Sequence, residues 1–180
     1  LHKAIRRQRQ MCIRDRHSAL ILDDDIDSWK WVFELNVFGA ARAIKSVGKY
    51  MKEQGKGAIV VTSSINSFVP VKENAAYCSS KGAIAQLVKV AAMELGPQIR
   101  VNAINPGLTD TPSIKVLTQN YNACQVAYKN IVMERFGKPE EFATTARFLL
   151  SDDASYITGV SLTCDGGISL YGYPDLSEVL

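Results

Sequence analysis

The chain has 180 residues, of which 47% are hydrophobic and 22% charged, and its formal net charge is +3. This length predicts a single domain, and the hydrophobic fraction allows a sizeable buried core. No stretch approaches the roughly 18 apolar residues of a membrane span, and no signal-peptide core opens the chain. The four cysteines are widely separated. We therefore expect reduced thiols, no zinc site and a cytoplasmic protein.

The first 22 residues differ in character from the rest. Residues 1–17 hold six basic side chains against one acidic side chain, so this segment carries +5 and the remainder of the chain −2. Basic segments occur in nucleic-acid-binding arms and in Arg-rich transit peptides. This one lacks interleaved aromatic residues and a clean amphipathic period. We interpret residues 1–22 as a non-native or artefactual head, and we expect no nucleic-acid partner.

Helical and strand patterns alternate after the head. Acidic residues at 23–25 provide an N-cap, and apolar positions three to four apart then predict a helix from Ile26 to Met51. The β-branched run Ala58–Thr62 predicts a buried parallel strand. The Ala-rich stretch Ala75–Gly96 predicts a second long helix. Alternation of this kind indicates an α/β fold.

The second half continues the same alternation. Residues Ile99–Ile104 predict a strand, and the irregular segment Leu108–Phe136 predicts short helices over a pocket. Pro139 suits the first turn of a helix that ends near Leu150. The run Val160–Thr163 predicts the last strand.

Three side chains of complementary chemistry fall where open α/β sheets bind ligands. Ser64 follows the end of the predicted strand Ala58–Thr62, and Tyr77 and Lys81 share one helix face at i and i+4. A nearby ammonium favours the phenolate and lowers a tyrosine pKa, so the phenol can exchange a proton with an alcohol or carbonyl oxygen. A Tyr-x-x-x-Lys pair alone is typical of an ordinary amphipathic helix. The serine at this distance favours a catalytic interpretation.

This constellation resembles the short-chain dehydrogenase/reductase family, and further motifs agree in order. The segment LNVFG around Asn36 is similar to the asparagine segment of that family's Asn-Ser-Tyr-Lys tetrad. Residues 100–107, RVNAINPG, are similar to its next strand and Pro-Gly turn. Residues 137–141 and 156–167 are similar to its last helix entry and final strand. The resemblance runs from about residue 25 to about residue 170.

The resemblance implies a doubly wound Rossmann fold and hydride transfer between a secondary alcohol and a ketone with NAD or NADP. It implies that Tyr77 is the general acid/base and that Ser64 orients the substrate oxygen. Lys81 would lower the pKa of Tyr77 and contact the nicotinamide ribose. Asn36 would hold a water of the proton relay, although an asparagine in a helix can also satisfy a backbone carbonyl.

The same resemblance implies a set of cofactor-binding residues and no metal ligand. The cofactor set is Tyr77, Lys81, Pro106, Gly107, Thr109 and Thr111. The tail from residue 165 to 173 is similar to the glucose-dehydrogenase and 3-oxoacyl-carrier-protein-reductase branch. The enoyl reductase branch spaces its tyrosine and lysine more widely. The family commonly pairs its long helices, so we expect a homo-oligomer, dimer or tetramer, with a small alcohol or ketone substrate and no membrane partner.

The family's Gly-rich dinucleotide turn does not occur in this sequence, in which the first glycine is Gly39. We therefore expect residues 23–180 to be the carboxyl-terminal part of one Rossmann domain whose amino-terminal dinucleotide-binding half is missing. A complete domain would carry roughly 80 to 100 more residues ahead of Asp25. Two functions stay open. One is an NAD(P)-dependent oxidoreductase in the intact protein, and the other is a truncated, inactive fragment that acts only in association.

Overall fold

A computed structural model describes residues 18–174, without the side chain of Val116. The helices are α1 (Ile26–Phe33), α2 (Gly39–Glu53), α3 (Ala75–Leu95), α4 (Lys115–Thr118), α5 (Tyr121–Lys129), α6 (Pro139–Leu150) and α7 (Ile168–Tyr171). The strands are β1 (Gly57–Thr62), β2 (Ile99–Pro106) and β3 (Ser161–Cys164). Within the described residues, no helix has the length and apolar character needed to cross a membrane.

The three strands form one parallel sheet in the order β1–β2–β3. Thr62 pairs with Ile104, and Pro106 pairs with Cys164, so the carboxyl ends of all three strands meet at one edge. The expected parallel α/β sheet is confirmed. Its last strand begins and ends one residue later than the alternation predicts, whereas α6 has the predicted bounds.

Helices cover both faces of the sheet. On one face, α2 and α3 pack against β1 and β2 through buried aliphatic side chains: Ile44, Ile59, Ile84, Val88, Ile99 and Val101. On the other face, Phe142 and Leu149 of α6 pack against Ile104. Layers on both sides of a parallel sheet define a doubly wound, Rossmann-like arrangement, which confirms the expected fold class.

The predicted helix from Ile26 to Met51 contains a break in its regular geometry. Asp25 caps α1, and its carboxylate accepts hydrogen bonds from the backbone N–H groups of Asp27 and Ser28. A π-helical turn, Glu34–Phe38, then separates α1 from α2. Such single turns are frequent at functional sites because they redirect one side chain without ending the helix. Here the turn contains Asn36.

The start of α6 is fixed by an ion pair. The Arg135 guanidinium donates two hydrogen bonds to the Glu141 carboxylate, which also accepts the Lys138 backbone N–H. These hydrogen bonds, that from Arg135 above all, lower the pKa of Glu141 to about 2. The pair stays ionised at neutral pH and joins residue 135 to the first turn of α6.

Part of the predicted head lies outside the described residues, namely 1–17. Of the remaining five positions, Ala19 donates its backbone N–H to the Glu73 carbonyl at 2.9 Å, just before α3. The segment 20–22 is exposed. The boundary at residue 22 stays a prediction.

Candidate active site

A cleft of about 510 Å³ opens at the carboxyl edge of the sheet. It lies between the ends of β1 and β2, one face of α3, the first turns of α6 and the segment after α7. Seven of the eight predicted site residues line this cleft: Ser64, Tyr77, Lys81, Pro106, Gly107, Thr109 and Thr111. The eighth, Asn36, is not among its lining residues.

Tyr77 and Lys81 lie one turn apart on α3, as their spacing predicts. The Lys81 Nζ is 5.3 Å from the centroid of the Tyr77 ring. Lys81 is only 6% exposed, which is rare for a lysine. A largely desolvated ammonium over a phenol ring is a cation–π contact, which holds the two side chains together at the cleft wall.

Ser64 is held at the end of β1 by hydrogen bonds to the residues that follow it in the chain. It caps the short 3-10 turn Ile65–Ser67, and its Oγ accepts the Asn66 backbone N–H at 3.1 Å. The same Oγ donates to the Asn66 Oδ1 at 2.9 Å. Next to it, the Ser63 Oγ donates to the Lys81 carbonyl at 3.3 Å, which ties the strand end to α3.

Asn36 supports α3 from behind the cleft. Its Nδ2 donates to the Ser80 Oγ at 3.0 Å, and the Ser80 Oγ donates to the Tyr77 carbonyl at 2.7 Å. Asn36 is therefore joined to the backbone of Tyr77 through a single side chain. It is Ser80, and not Asn36, that donates to this backbone carbonyl. The water of the proton relay stays a prediction.

The Pro-Gly turn after β2 presses against the turn after β3. The Gly107 N–H donates to the Cys164 carbonyl at 3.1 Å, and a Cβ added at Gly107 would lie 2.8 Å from the Asp165 Cα. Burial alone would raise the pKa of Asp165, but hydrogen bonds from Ser169 and Gly167 outweigh it and lower that pKa. The ionised Asp165 thus fixes the turn against which Gly107 rests.

Thr109 and Thr111 follow this turn along the cleft wall. The Thr109 Oγ1 donates to the Gly107 carbonyl at 3.0 Å, and the Thr109 backbone pairs with Gly137 in an isolated parallel bridge. The Thr111 Oγ1 lies 2.7 Å from the Ser113 Oγ. Both hydroxyls are held in place by the protein.

These groups fit one end of a nicotinamide dinucleotide. At Gly107 there is no side chain and no room for one, so the backbone itself forms the wall. Threonine hydroxyls beside that wall suit a carboxamide, and a buried ammonium on α3 suits ribose hydroxyls. Across residues 18–174, no group of three His, Cys, Asp or Glu side chains could hold a metal ion.

Further polar residues line the cleft that were not among the predicted site residues, and two of them, Asn66 and Tyr173, are linked to Ser64. Asn66 is the hydrogen-bond partner of Ser64, and the Tyr173 hydroxyl donates to the Asn66 Oδ1 at 3.0 Å. Asn66 could have been found, because an Asn two residues after a capping Ser is a local turn signal. Tyr173 gave no such signal, since it lies 107 residues further along the chain.

Comparisons with known proteins identify relatives of this chain. A family model described as Enoyl-(Acyl carrier protein) reductase matches residues 11–169, and so begins inside the predicted head. Glucose 1-dehydrogenase 2 of Bacillus subtilis is 38% identical over 148 residues, which are 81% of this chain and 57% of that protein.

Solved structures of dehydrogenases also superpose on this chain. A short-chain type dehydrogenase/reductase from Mycobacterium ulcerans superposes with a TM-score of 0.86 at 34% identity, covering 91% of this chain and 60% of that one. A 4-hydroxyisoleucine dehydrogenase complexed with NADH superposes with a TM-score of 0.83 at 32% identity, covering 86% and 65%.

The chain therefore belongs to the short-chain dehydrogenase/reductase family. It spans 57% of the length of the glucose 1-dehydrogenase that it matches. The name of that relative is in keeping with the glucose-dehydrogenase branch expected from residues 165–173.

A substitution at Gly107 tests whether the turns after β2 and β3 pack as closely as described. Gly107→Ala would place a Cβ 2.8 Å from both the Cα and the Cβ of Asp165, so the turns after β2 and β3 must move apart. We expect a loss of about 1–3 kcal/mol in the free energy of unfolding, measured by urea denaturation.

Gly39→Ala is the matched control. Its Cβ would meet no heavy atom closer than 3.7 Å, and alanine is the better helix former. We expect unchanged or slightly raised stability. Equal stability of Gly107→Ala and the parent chain would contradict the close approach.

Proposed function

We propose that the intact protein carrying this chain is an NAD(P)-dependent oxidoreductase that interconverts a secondary alcohol and a ketone. The observation that carries the proposal is that Ser64, Tyr77 and Lys81 line one cleft at the carboxyl edge of a parallel sheet. A related structure, the 4-hydroxyisoleucine dehydrogenase, is complexed with NADH. Ligands of open α/β sheets bind at this edge.

Each residue has a role that follows from its position. When bound, the nicotinamide supplies or accepts the hydride. Tyr77 gives a proton to, or takes one from, the substrate oxygen as general acid/base. Lys81, over the Tyr77 ring, favours the phenolate and contacts the nicotinamide ribose. Ser64 orients the substrate oxygen and donates a hydrogen bond to its developing charge.

The remaining predicted residues hold these groups in place. Asn36 supports α3 through Ser80 and takes part in the proton relay. Pro106, Gly107, Thr109 and Thr111 place the nicotinamide. The described cysteines are free thiols, consistent with the cytoplasmic location that we propose.

The proposed reaction is an alcohol–ketone conversion, not the enoyl reduction in the description of the matching family model. Tyr77 and Lys81 stand one helical turn apart, with the ammonium over the phenol ring. The enoyl reductase branch, by resemblance, spaces these residues more widely. The Bacillus subtilis relative is named as a dehydrogenase, glucose 1-dehydrogenase 2.

Tyr77→Phe tests the acid/base role in the intact protein. The ring keeps its packing while the hydroxyl is lost, so turnover should fall about 10²- to 10⁴-fold with cofactor affinity little changed. The measurement is NAD(P)H absorbance with a panel of secondary alcohols, with cofactor binding followed separately. Tyr171→Phe, at an exposed position of α7, is the control and should keep full activity. A Tyr77→Phe enzyme that retains more than about a tenth of the parental rate would refute the assignment.

We further propose that the intact protein is a homo-oligomer, dimer or tetramer, paired through α1, α2 and α3. These helices and the π turn expose large apolar side chains: Ile26, Trp31, Phe38, Val47, Tyr50, Val90 and Met93. Burial of such a surface between copies is favourable. Sedimentation at micromolar concentration should therefore show a dimer or tetramer, and a monomer alone would rule out this pairing.

A second candidate function concerns residues 1–180 by themselves. Within the described residues, β1 is hydrogen-bonded to β2 on one side only, which leaves a strand edge available for association. The sequence also holds no Gly-rich turn for a pyrophosphate. On this basis the chain alone is an inactive unit that acts in association with other chains.

Fluorescence titration with NADH and NADPH tests this second candidate. The purified chain should bind either cofactor very weakly, because only groups for the nicotinamide end are in place, and light scattering should detect association through β1. Saturable binding at micromolar cofactor by a soluble monomer would show that the chain is self-sufficient.

A further inference from the structure

Asn66 connects Ser64 to a distant part of the chain. Its Oδ1 accepts two hydrogen bonds, from the Ser64 Oγ at 2.9 Å and from the Tyr173 hydroxyl at 3.0 Å. Its backbone N–H donates to the same Ser64 Oγ at 3.1 Å. Asn66 is buried, and all three residues line the cleft.

The orientation of the Asn66 amide follows from its other contacts. Its Nδ2 lies 3.4 Å from the Val69 carbonyl and 3.8 Å from the Cys78 Sγ. The carbonyl can only accept, so the NH₂ group must face it, and the Oδ1 must face Ser64 and Tyr173. An amide oxygen has two lone pairs, and both are used here.

Tyr173 is held in position independently of Asn66. Its ring packs against the buried cluster that contains Ile65, Ala123 and Ile168. The Asn130 Nδ2 donates to the Gly172 carbonyl at 3.3 Å and so anchors the preceding residue. Removal of the hydroxyl alone would therefore leave the ring and the backbone where they are.

We propose that Asn66 and Tyr173 are positioning residues that let Ser64 exchange hydrogen-bond acceptors. This inference rests on the proposed function, in which Ser64 donates to the substrate oxygen. Without substrate, the Ser64 proton is held by the Asn66 Oδ1. When Ser64 turns its proton to the substrate, the Tyr173 hydroxyl keeps that Oδ1 satisfied, and the Asn66 N–H keeps the Ser64 Oγ in place.

Tyr173 matters because a buried hydrogen-bond acceptor that loses its donor raises the free energy of the protein. If Tyr173 lost its hydroxyl, Ser64 would be the one remaining donor to the Asn66 Oδ1 in the described hydrogen bonds. Each turn of Ser64 toward substrate would then leave a buried amide oxygen unsatisfied. The penalty for such a group corresponds to a loss of about ten- to a hundredfold in kcat/KM.

A double-mutant cycle in the intact protein tests the arrangement. Tyr173→Phe should lower kcat/KM about tenfold or more for cyclohexanol with NAD(P), or for whichever secondary alcohol of the panel is turned over. Asn66→Ala removes the acceptor itself, so Tyr173→Phe should change kcat/KM less than about twofold in that background. This loss of effect is the coupling that a merely structural tyrosine would not show.

Tyr171→Phe is the matched control, because it removes a hydroxyl two residues away on the exposed face of α7. It should leave kcat/KM unchanged. The proposal is overturned if Tyr173→Phe leaves kcat/KM unchanged in an active enzyme. It is also overturned if Tyr173→Phe lowers kcat/KM by the same factor with and without Asn66.

A second readout does not depend on activity. In ¹⁵N spectra of the intact protein, the Asn66 side-chain amide signal, assigned by its loss in Asn66→Ala, should shift in both Ser64→Ala and Tyr173→Phe. It should stay in place in Tyr171→Phe. If neither variant moves the signal, the hydrogen bonds do not form and the proposal is wrong. If the signal moves as expected but the intact protein oxidises no alcohol, the proposed reaction fails while the support of Ser64 stands.

Discussion

Six residue pairs join β1 to β2, from Gly57 with Ile99 to Thr62 with Ile104, and the geometry of the cleft follows from that register. Side chains alternate between sheet faces, so a slip of one residue would move every strand side chain to the opposite face. In the observed register, Ser64 leaves β1 beside α3 while the Pro-Gly turn leaves β2 beside β3. The regular geometry of α3 is then enough to place Tyr77 and Lys81 in the same cleft as Ser64 and the Pro-Gly turn.

Polar side chains on β2 fix the positions of β3 and α6 relative to that strand. The Asn102 Nδ2 donates to the Ile157 carbonyl at 2.9 Å, and its Oδ1 accepts the Val160 N–H at 3.2 Å. The Arg100 guanidinium donates to the carbonyls of Leu149 and Ser151 at the end of α6. Directional bonds of this kind specify where β3 and α6 sit, whereas apolar burial alone would tolerate small shifts.

Much of this architecture could be predicted from the sequence, because periodicity records which faces are buried. The helix Pro139–Leu150 and the strand that leads into Pro106 are local patterns, and their motifs place Ser64, Tyr77 and Lys81 at one edge. The contact between Asn66 and Tyr173 could not be predicted, since it joins positions far apart in the sequence through one hydroxyl. The hydrogen bond from Asn36 to Ser80 could not be predicted either, because an apolar pattern does not show to which group a buried amide donates.

The π-helical turn has a further consequence for how this chain can change. An α-helix advances about 100° per residue, so the one extra residue accommodated by the turn sets the rotation of α2 relative to α1. Deletion of any one residue between Glu34 and Phe38 would let a continuous α-helix form. The face of α2 that carries Ile44 toward the sheet would then be out of phase with the face of α1 that carries Val32 inward. Single-residue deletions in this helix should therefore be far less tolerated than substitutions, even at its exposed positions.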